Sequence, residues 1–176
     1  MRLEAPHPWN VSPREGIAIQ KQLRGQIVLA PLTGAIELIA GVDAGFEDNG
    51  RTARAAVALF RYPQLEPVET QLAREPVRMP YIPGLLSFRE LPVVLKALGQ
   101  LSQAPQLLLC DGQGIAHPRR LGVAAHLGLI TQLPSIGVGK SRLVGEFAEP
   151  GPHKGDHSPL YDRGERIGTV LRSRER

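Results

Sequence analysis

Asp43 and Asp111 each close an apolar run, Ala35-Ile-Glu-Leu-Ile-Ala-Gly-Val-Asp43 and Leu107-Leu-Leu-Cys-Asp111. A carboxylate at the end of a buried strand can leave the core and face the crevice where sites of open α/β sheets assemble. Two or three carboxylates gathered there repel one another unless a cation neutralises them. An all-oxygen set selects Mg²⁺, with Mn²⁺ as a substitute, over zinc. Such a centre suits phosphodiester hydrolysis, in which metal ions activate water and stabilise the charge on phosphorus and on the departing oxygen. Each residue also has a plainer reading. An Asp after a strand is commonly a turn former or helix cap. Glu90 lies in Ser87-Phe-Arg-Glu90, the capping-box pattern S-x-x-E, where it would reach back to the Ser87 backbone.

Three further segments could work beside the carboxylates. Met79-Pro-Tyr-Ile-Pro-Gly84 is stiffened by two prolines and carries Tyr81 and Ile82, so it could wedge between base pairs of a duplex or simply plug a core. Gly112-Gln-Gly-Ile-Ala-His117-Pro-Arg-Arg120 follows the Asp111 strand. Its glycines permit close approach of a ligand, and its amides with Arg119 and Arg120, at the start of a helix, could hold phosphate. His117 there is either functional or a structural loop histidine. Gly137-Val-Gly-Lys140-Ser141 superficially resembles a P-loop, but Pro134 stands where the pattern needs glycine, which disfavours a nucleotide triphosphatase. Lys140 could orient the attacking water or neutralise transition-state charge, or be an ordinary surface lysine.

The elements that must position these residues follow from the hydrophobic pattern. The first dozen residues, with two prolines and Trp9, read as a loosely ordered lead-in. Pro13 opens a helix with Ile17, Leu23 and Ile27 on its buried side. Ala35 to Asp43 is apolar on both parities, as in a central strand covered on both faces. Asn49-Gly50 is a hairpin signal, Ala55 to Phe60 the returning strand, and Pro67 to Val77 a third strand. Ser87 to Leu101 is helical, with Leu91, Val94, Leu95 and Leu98 at core spacing. Then come a strand (Leu107 to Asp111), a helix (Arg119 to Leu129) and a strand (Ser135 to Val138). Val144 to Gly164 reads as a surface loop, and Ile167 to Leu171 as a last strand before a basic end. The class is α/β, a mixed sheet flanked by helices.

Composition sets the outer bounds. A chain of 176 residues with 42% apolar content fits one globular domain, 1–176. A net charge of +4 suits an anionic partner such as nucleic acid. Cys110 is the one cysteine, which rules out an internal disulfide and a Cys-rich zinc site, and disfavours a zinc deaminase. The opening lacks the apolar run of a signal peptide, and no stretch has the length of a membrane span. A cytoplasmic monomer without membrane association is the expectation.

Read in order, Gly41-Val-Asp-Ala-Gly-Phe46, Met79-Pro-Tyr-Ile-Pro-Gly-Leu-Leu-Ser-Phe-Arg-Glu90, Asp111-Gly-Gln-Gly-Ile-Ala-His-Pro-Arg-Arg-Leu-Gly122 and Ile136-Gly-Val-Gly-Lys140 resemble endonuclease V. The resemblance runs over roughly positions 35 to 172 and implies an RNase H-like fold. It also implies that Asp43, Glu90 and Asp111 hold Mg²⁺. Tyr81, in the wedge Pro80-Tyr81-Ile82-Pro83-Gly84, would fill the gap left when the lesion base rotates out. The flipped base would sit near Gly84, Leu86 and Gly112, and Lys140 and His117 match positions close to the reacting phosphate. Members of the family cut the second phosphodiester bond 3′ to deoxyinosine, leaving 3′-hydroxyl and 5′-phosphate ends. Hypoxanthine presents a carbonyl where adenine has an amino group, so backbone amide donors could tell the two apart. An inosine mispair is also cheaper to open. The expected partner is DNA carrying deoxyinosine or other deaminated bases. Some relatives prefer RNA, which keeps an inosine-specific ribonuclease as an alternative. Members also continue past a segment like Ile167 to Arg172, with a histidine beside the metal centre. The sequence is expected to lack that segment, which opens a further alternative, a catalytically impaired lesion-binding fragment.

Overall fold

The computed structural model describes residues 1–175; Arg176, the last residue of the basic end, lies outside the described residues. The elements are α1 (Pro13–Leu23), β1 (Leu38–Glu47), β2 (Thr52–Arg61), β3 (Glu66–Pro76), α2 (Leu86–Leu98), β4 (Leu107–Asp111), α3 (Val123–Thr131), β5 (Ser135–Val138), β6 (His157–Asp162) and β7 (Glu165–Leu171). Strands β1, β2 and β3 form an antiparallel meander, and β4 and β5 add in parallel, giving the order β3-β2-β1-β4-β5. Strands β6 and β7 pair as a separate antiparallel ribbon. This is the expected mixed sheet flanked by helices.

The first hairpin turns at Asp48-Asn49-Gly50, where all three residues have positive φ (53, 56 and 84°). Asn, Asp and Gly tolerate that region best, so the turn is written locally. Helix α2 buries Leu91, Val94, Leu95 and Leu98, the four residues at core spacing, together with Phe88. Each such side chain contributes roughly 1.5–3 kcal/mol by leaving water. That packing against β1, β2 and β3 fixes the backbone from which Glu90 projects. Among the described residues no helix is long and apolar enough to cross a membrane.

Several expectations are corrected. The lead-in is docked: Arg2 N–H donates to the Thr131 carbonyl (3.1 Å), and Trp9 packs on the core with its ring against Phe88 and His126. Helix α1 ends at Leu23, so Ile27 falls outside it; Leu23 is buried, Ile17 half-buried, and the polar Gln20 takes the deepest place. Helix α3 begins at Val123, because Arg120 adopts φ 61° and Gly122 is extended. Arg119 and Arg120 therefore precede the helix. The supposed loop 144–164 contains β6, whose alternation (Ser158 and Leu160 buried) is masked by Pro159 and polar neighbours.

Candidate active site

The parallel register of β1 and β4 runs from Ile39 opposite Leu107 to Val42 opposite Cys110. The next residues are Asp43 and Asp111, which stand side by side where β4 ends, on strands spaced about 4.8 Å apart. Asp43 does not end its own strand, as the sequence suggested. β1 continues to Glu47 as the antiparallel partner of β2, and only its pairing with β4 stops at Asp43. The Asp43 side is exposed and Asp111 is half-buried.

Glu90 comes to the same place from α2, with 9% of its surface exposed. Its carboxyl is pushed up to about 7, first by burial, then by the negative charges of Asp111 and Asp43, with Arg89 pulling the other way. The capping-box reading fails, since α2 starts at Leu86 with Leu85 at its cap position and no side chain closing it. Ser87 lies inside the helix and its hydroxyl bonds His126 Nδ1 (2.9 Å). Lys140, just past β5, sets its Nζ 2.5 Å from Asp111 Oδ2, and the Asp111 contact raises the lysine above its ordinary pKa.

Among the described residues no three His, Cys, Asp or Glu side chains converge closely enough to hold a metal ion as they are arranged. The donor chemistry nevertheless fits a hard divalent cation: Asp43, Glu90 and Asp111 offer only carboxylate oxygens. Burial is the larger cause of the raised Glu90 pKa and the Asp111 and Asp43 charges add to it, while Lys140 bonds Asp111 and feels the charge of both aspartates.

The loop between β3 and α2 has a buried root and an exposed tip. Met79 is buried, Ile82 half-buried, Pro80 and Pro83 exposed, and Tyr81 keeps 64% of its surface in solvent. It closes at Gly84, with φ 78°. The Gly84 carbonyl accepts from Gln20 Nε2 (2.8 Å), Arg119 Nη2 (2.7 Å) and His117 Nε2 (3.1 Å). His117 Nδ1 accepts from the Arg119 N–H (3.1 Å), which assigns the proton to Nε2. Burial, then the Arg119 charge, push this histidine down to about 4, so the ring is neutral. Both ring nitrogens are thus engaged, and in this arrangement His117 holds the loop at Gly84.

The arginines are likewise committed inside the protein. Arg119 donates through Nε to Gln20 Oε1 and through Nη2 to Gly84. Arg120 ties the second ribbon to this loop through Asp162 (2.8 Å) and Glu165 (2.7 Å). At the start of α3 the Ala124 N–H donates to the Gln113 carbonyl (3.0 Å), and just before the helix the Gly122 N–H donates to that of Gly114 (2.9 Å).

Behind the carboxylates the backbones of 112–114, 122 and 137 touch without side chains between them. A Cβ at Gly137 would stand 2.6 Å from the Gly112 carbonyl oxygen, and one at Gly122 2.8 Å from that of Gly114. Two open depressions lie elsewhere, one lined by Leu3, Trp9, Pro92 and Lys96, the other by Arg24, Ile115, Arg120 and Glu165. Neither is lined by Gly84, Leu86 or Gly112. Gln20 and the Ser87–His126 pair were missed by sequence reasoning. Their partners are dozens of positions away, so no local signal marks them.

The strand order β3-β2-β1-β4-β5, with helices against the sheet, defines the class, an RNase H-like fold. The Endonuclease V family model matches residues 21–176. Endonuclease V of Alkalilimnicola ehrlichii is 62% identical over 174 residues, covering 98% of this chain and 77% of that protein. The chain belongs to the endonuclease V family. The crystal structure of Endonuclease V from Streptomyces avermitilis superposes with a TM-score of 0.89 at 37% identity, over 99% of this chain and 78% of that one. Ciona intestinalis Endonuclease V, in complex with DNA containing an inosine followed by a ribo-adenosine, matches with a TM-score of 0.69 at 26% identity, over 77% of this chain and 61% of that one.

Proposed function

We propose that this chain is a DNA-repair endonuclease that recognises deoxyinosine and hydrolyses the second phosphodiester bond 3′ to it, using Mg²⁺ held by Asp43, Glu90 and Asp111, with Mn²⁺ as a substitute. The observation that carries this reading is the register placing Asp43 beside Asp111, with both charges raising the buried Glu90. A divalent cation at that point supplies Lewis acidity toward a phosphoryl group. The chain's own residues do the rest. Lys140 fixes Asp111 and carries positive charge next to where phosphate oxygens would lie. Tyr81, exposed at the tip of a proline-stiffened loop, enters the stack when the lesion base leaves it. His117 and Arg119 hold the root of that loop, and Leu86 and Gly112 flank the place where a displaced base would be received.

The test is a labelled duplex with one deoxyinosine, incubated with the purified chain in Mg²⁺ and in EDTA. A nick at the second bond 3′ to the lesion, in Mg²⁺ alone, is the expected result. Cutting should vanish in Asp43→Ala and Asp111→Ala while lesion binding persists. Binding by the unaltered chain with no cut in Mg²⁺ would replace this reading with that of an impaired lesion-binding protein. One observation favours a second reading, an inosine-directed ribonuclease: the strand bound by the Ciona relative carries a ribo-adenosine after the inosine. Matched RNA substrates in the same assay decide it, and exclusive RNA cutting would defeat the repair assignment.

A further inference from the structure

Gln20 is 1% exposed. A primary amide in such a place is strongly disfavoured unless its hydrogen bonds are made. Here Nε2 donates to the Gly84 carbonyl (2.8 Å) and to the Leu121 carbonyl (3.3 Å), and Oε1 accepts from Arg119 Nε. One side chain of α1 thus joins the loop before α2 to the loop before α3. At Gly84 the carbonyl oxygen receives three donors, beyond its two lone pairs, so its position is over-determined. Gly84 has φ 78°, where L side chains are strained, and a Cβ there would also displace the Arg119 guanidinium.

We propose that Gln20 is a positioning residue for the lesion-reading loop, fixing the Gly84 carbonyl and through it the reach of Tyr81 relative to the carboxylates. This rests on the wedge role given to Tyr81 above. The anchor point is well placed for it, because Tyr81 lies on one side of Gly84 and α2, which carries Glu90, begins at Leu86 on the other. Gln20 also stands just before the matched family segment, which begins at residue 21.

Two variants of the full chain test it. Gln20→Met keeps the length and burial of the side chain but removes the amide. Gln20→Glu keeps an acceptor for Arg119 but turns a carboxylate oxygen toward the Gly84 carbonyl. Three quantities are compared with the unaltered protein: amide hydrogen exchange, the cleavage ratio of deoxyinosine duplex to unmodified duplex, and the split between KM and kcat. Both variants should exchange about tenfold faster over residues 80–86 with β1 and β2 unchanged, the scale of losing about one net hydrogen bond. Both should lose about tenfold in deoxyinosine preference, chiefly through KM, for the same reason. Unchanged loop exchange in Gln20→Met overturns the proposal. So does wild-type behaviour of Gln20→Glu, or faster exchange spread evenly over the sheet, which would mark plain fold support. If the unaltered chain cuts no deoxyinosine duplex, the functional reading fails while the exchange comparison still decides the anchoring role.

Discussion

At Ser12-Pro-Arg-Glu15 the Glu15 N–H donates to Ser12 Oγ (3.3 Å) and the Ser12 N–H donates back to Glu15 Oε2 (2.8 Å), a closed capping box at the exposed start of α1. At Ser87-Phe-Arg-Glu90 the same spelling lies one residue inside α2, and neither bond forms. Ser87 turns to His126 and Glu90 turns to Asp43 and Asp111. The difference comes from what surrounds each stretch. The first is solvated, so its polar groups satisfy one another, and hydrogen bonding pulls Glu15 below its ordinary pKa. The second is buried by tertiary packing, where local propensity loses to contacts from three other elements. There the carboxyl is raised instead. One four-residue pattern thus serves a helix end in one place and a buried carboxylate beside Asp43 and Asp111 in the other.

The sharpest test of that contrast is Glu90→Gln, which should lower cleavage at least about a hundredfold, the scale for removing one electrostatic contact to a reacting centre. Retained turnover with lost stability would return Glu90 to a structural role and break the comparison. The same variant has a signature without metal. The folded pKa of about 7 lies above the ordinary 4.5, so the folded state holds the extra proton. Stability from this group is therefore full below pH 4.5 and is lost as pH rises through 7. In EDTA the melting temperature of Glu90→Gln should fall less across that window than that of the unaltered chain, and parallel curves would refute the assignment. Ser87→Ala comes next. It strands the buried His126 Nδ1, and denaturant unfolding should show a loss of about 1–3 kcal/mol with cleavage largely kept. At the exposed box, Ser12→Ala should lower stability by only ~1 kcal/mol and leave cleavage unchanged. Glu15→Gln should have the smallest effect, a slight fall in melting temperature.

Much of the site was legible because it is built on elements whose sequence is locally consistent. The apolar runs before Asp43 and Asp111 gave the two strands, and the spacing of Leu91, Val94, Leu95 and Leu98 gave the helix that carries Glu90. What escaped was set by partners. The true end of β1 depends on β2 outlasting β4, which a strand pattern cannot reveal. The role of His117 depends on the Gly84 carbonyl and on Arg119, and that of Gln20 on two loops far along the chain. The β6 strand was hidden by its proline and polar surface. The partners of Arg119 and Arg120, at Gln20 and Gly84 and at Asp162 and Glu165, were equally out of sight, since sequence carries charge but not direction.

The side-chain-free contact of Gly112, Gly114, Gly122 and Gly137 has a consequence at the level of the gene. Every missense change at a glycine codon adds at least a Cβ, and at Gly122 and Gly137 the first atom it would meet is backbone, which cannot rotate aside. Saturation mutagenesis scored by survival of function should therefore show these two codons nearly empty of tolerated alleles, alanine included. Gly25, where a Cβ meets nothing within 4 Å, should accept many.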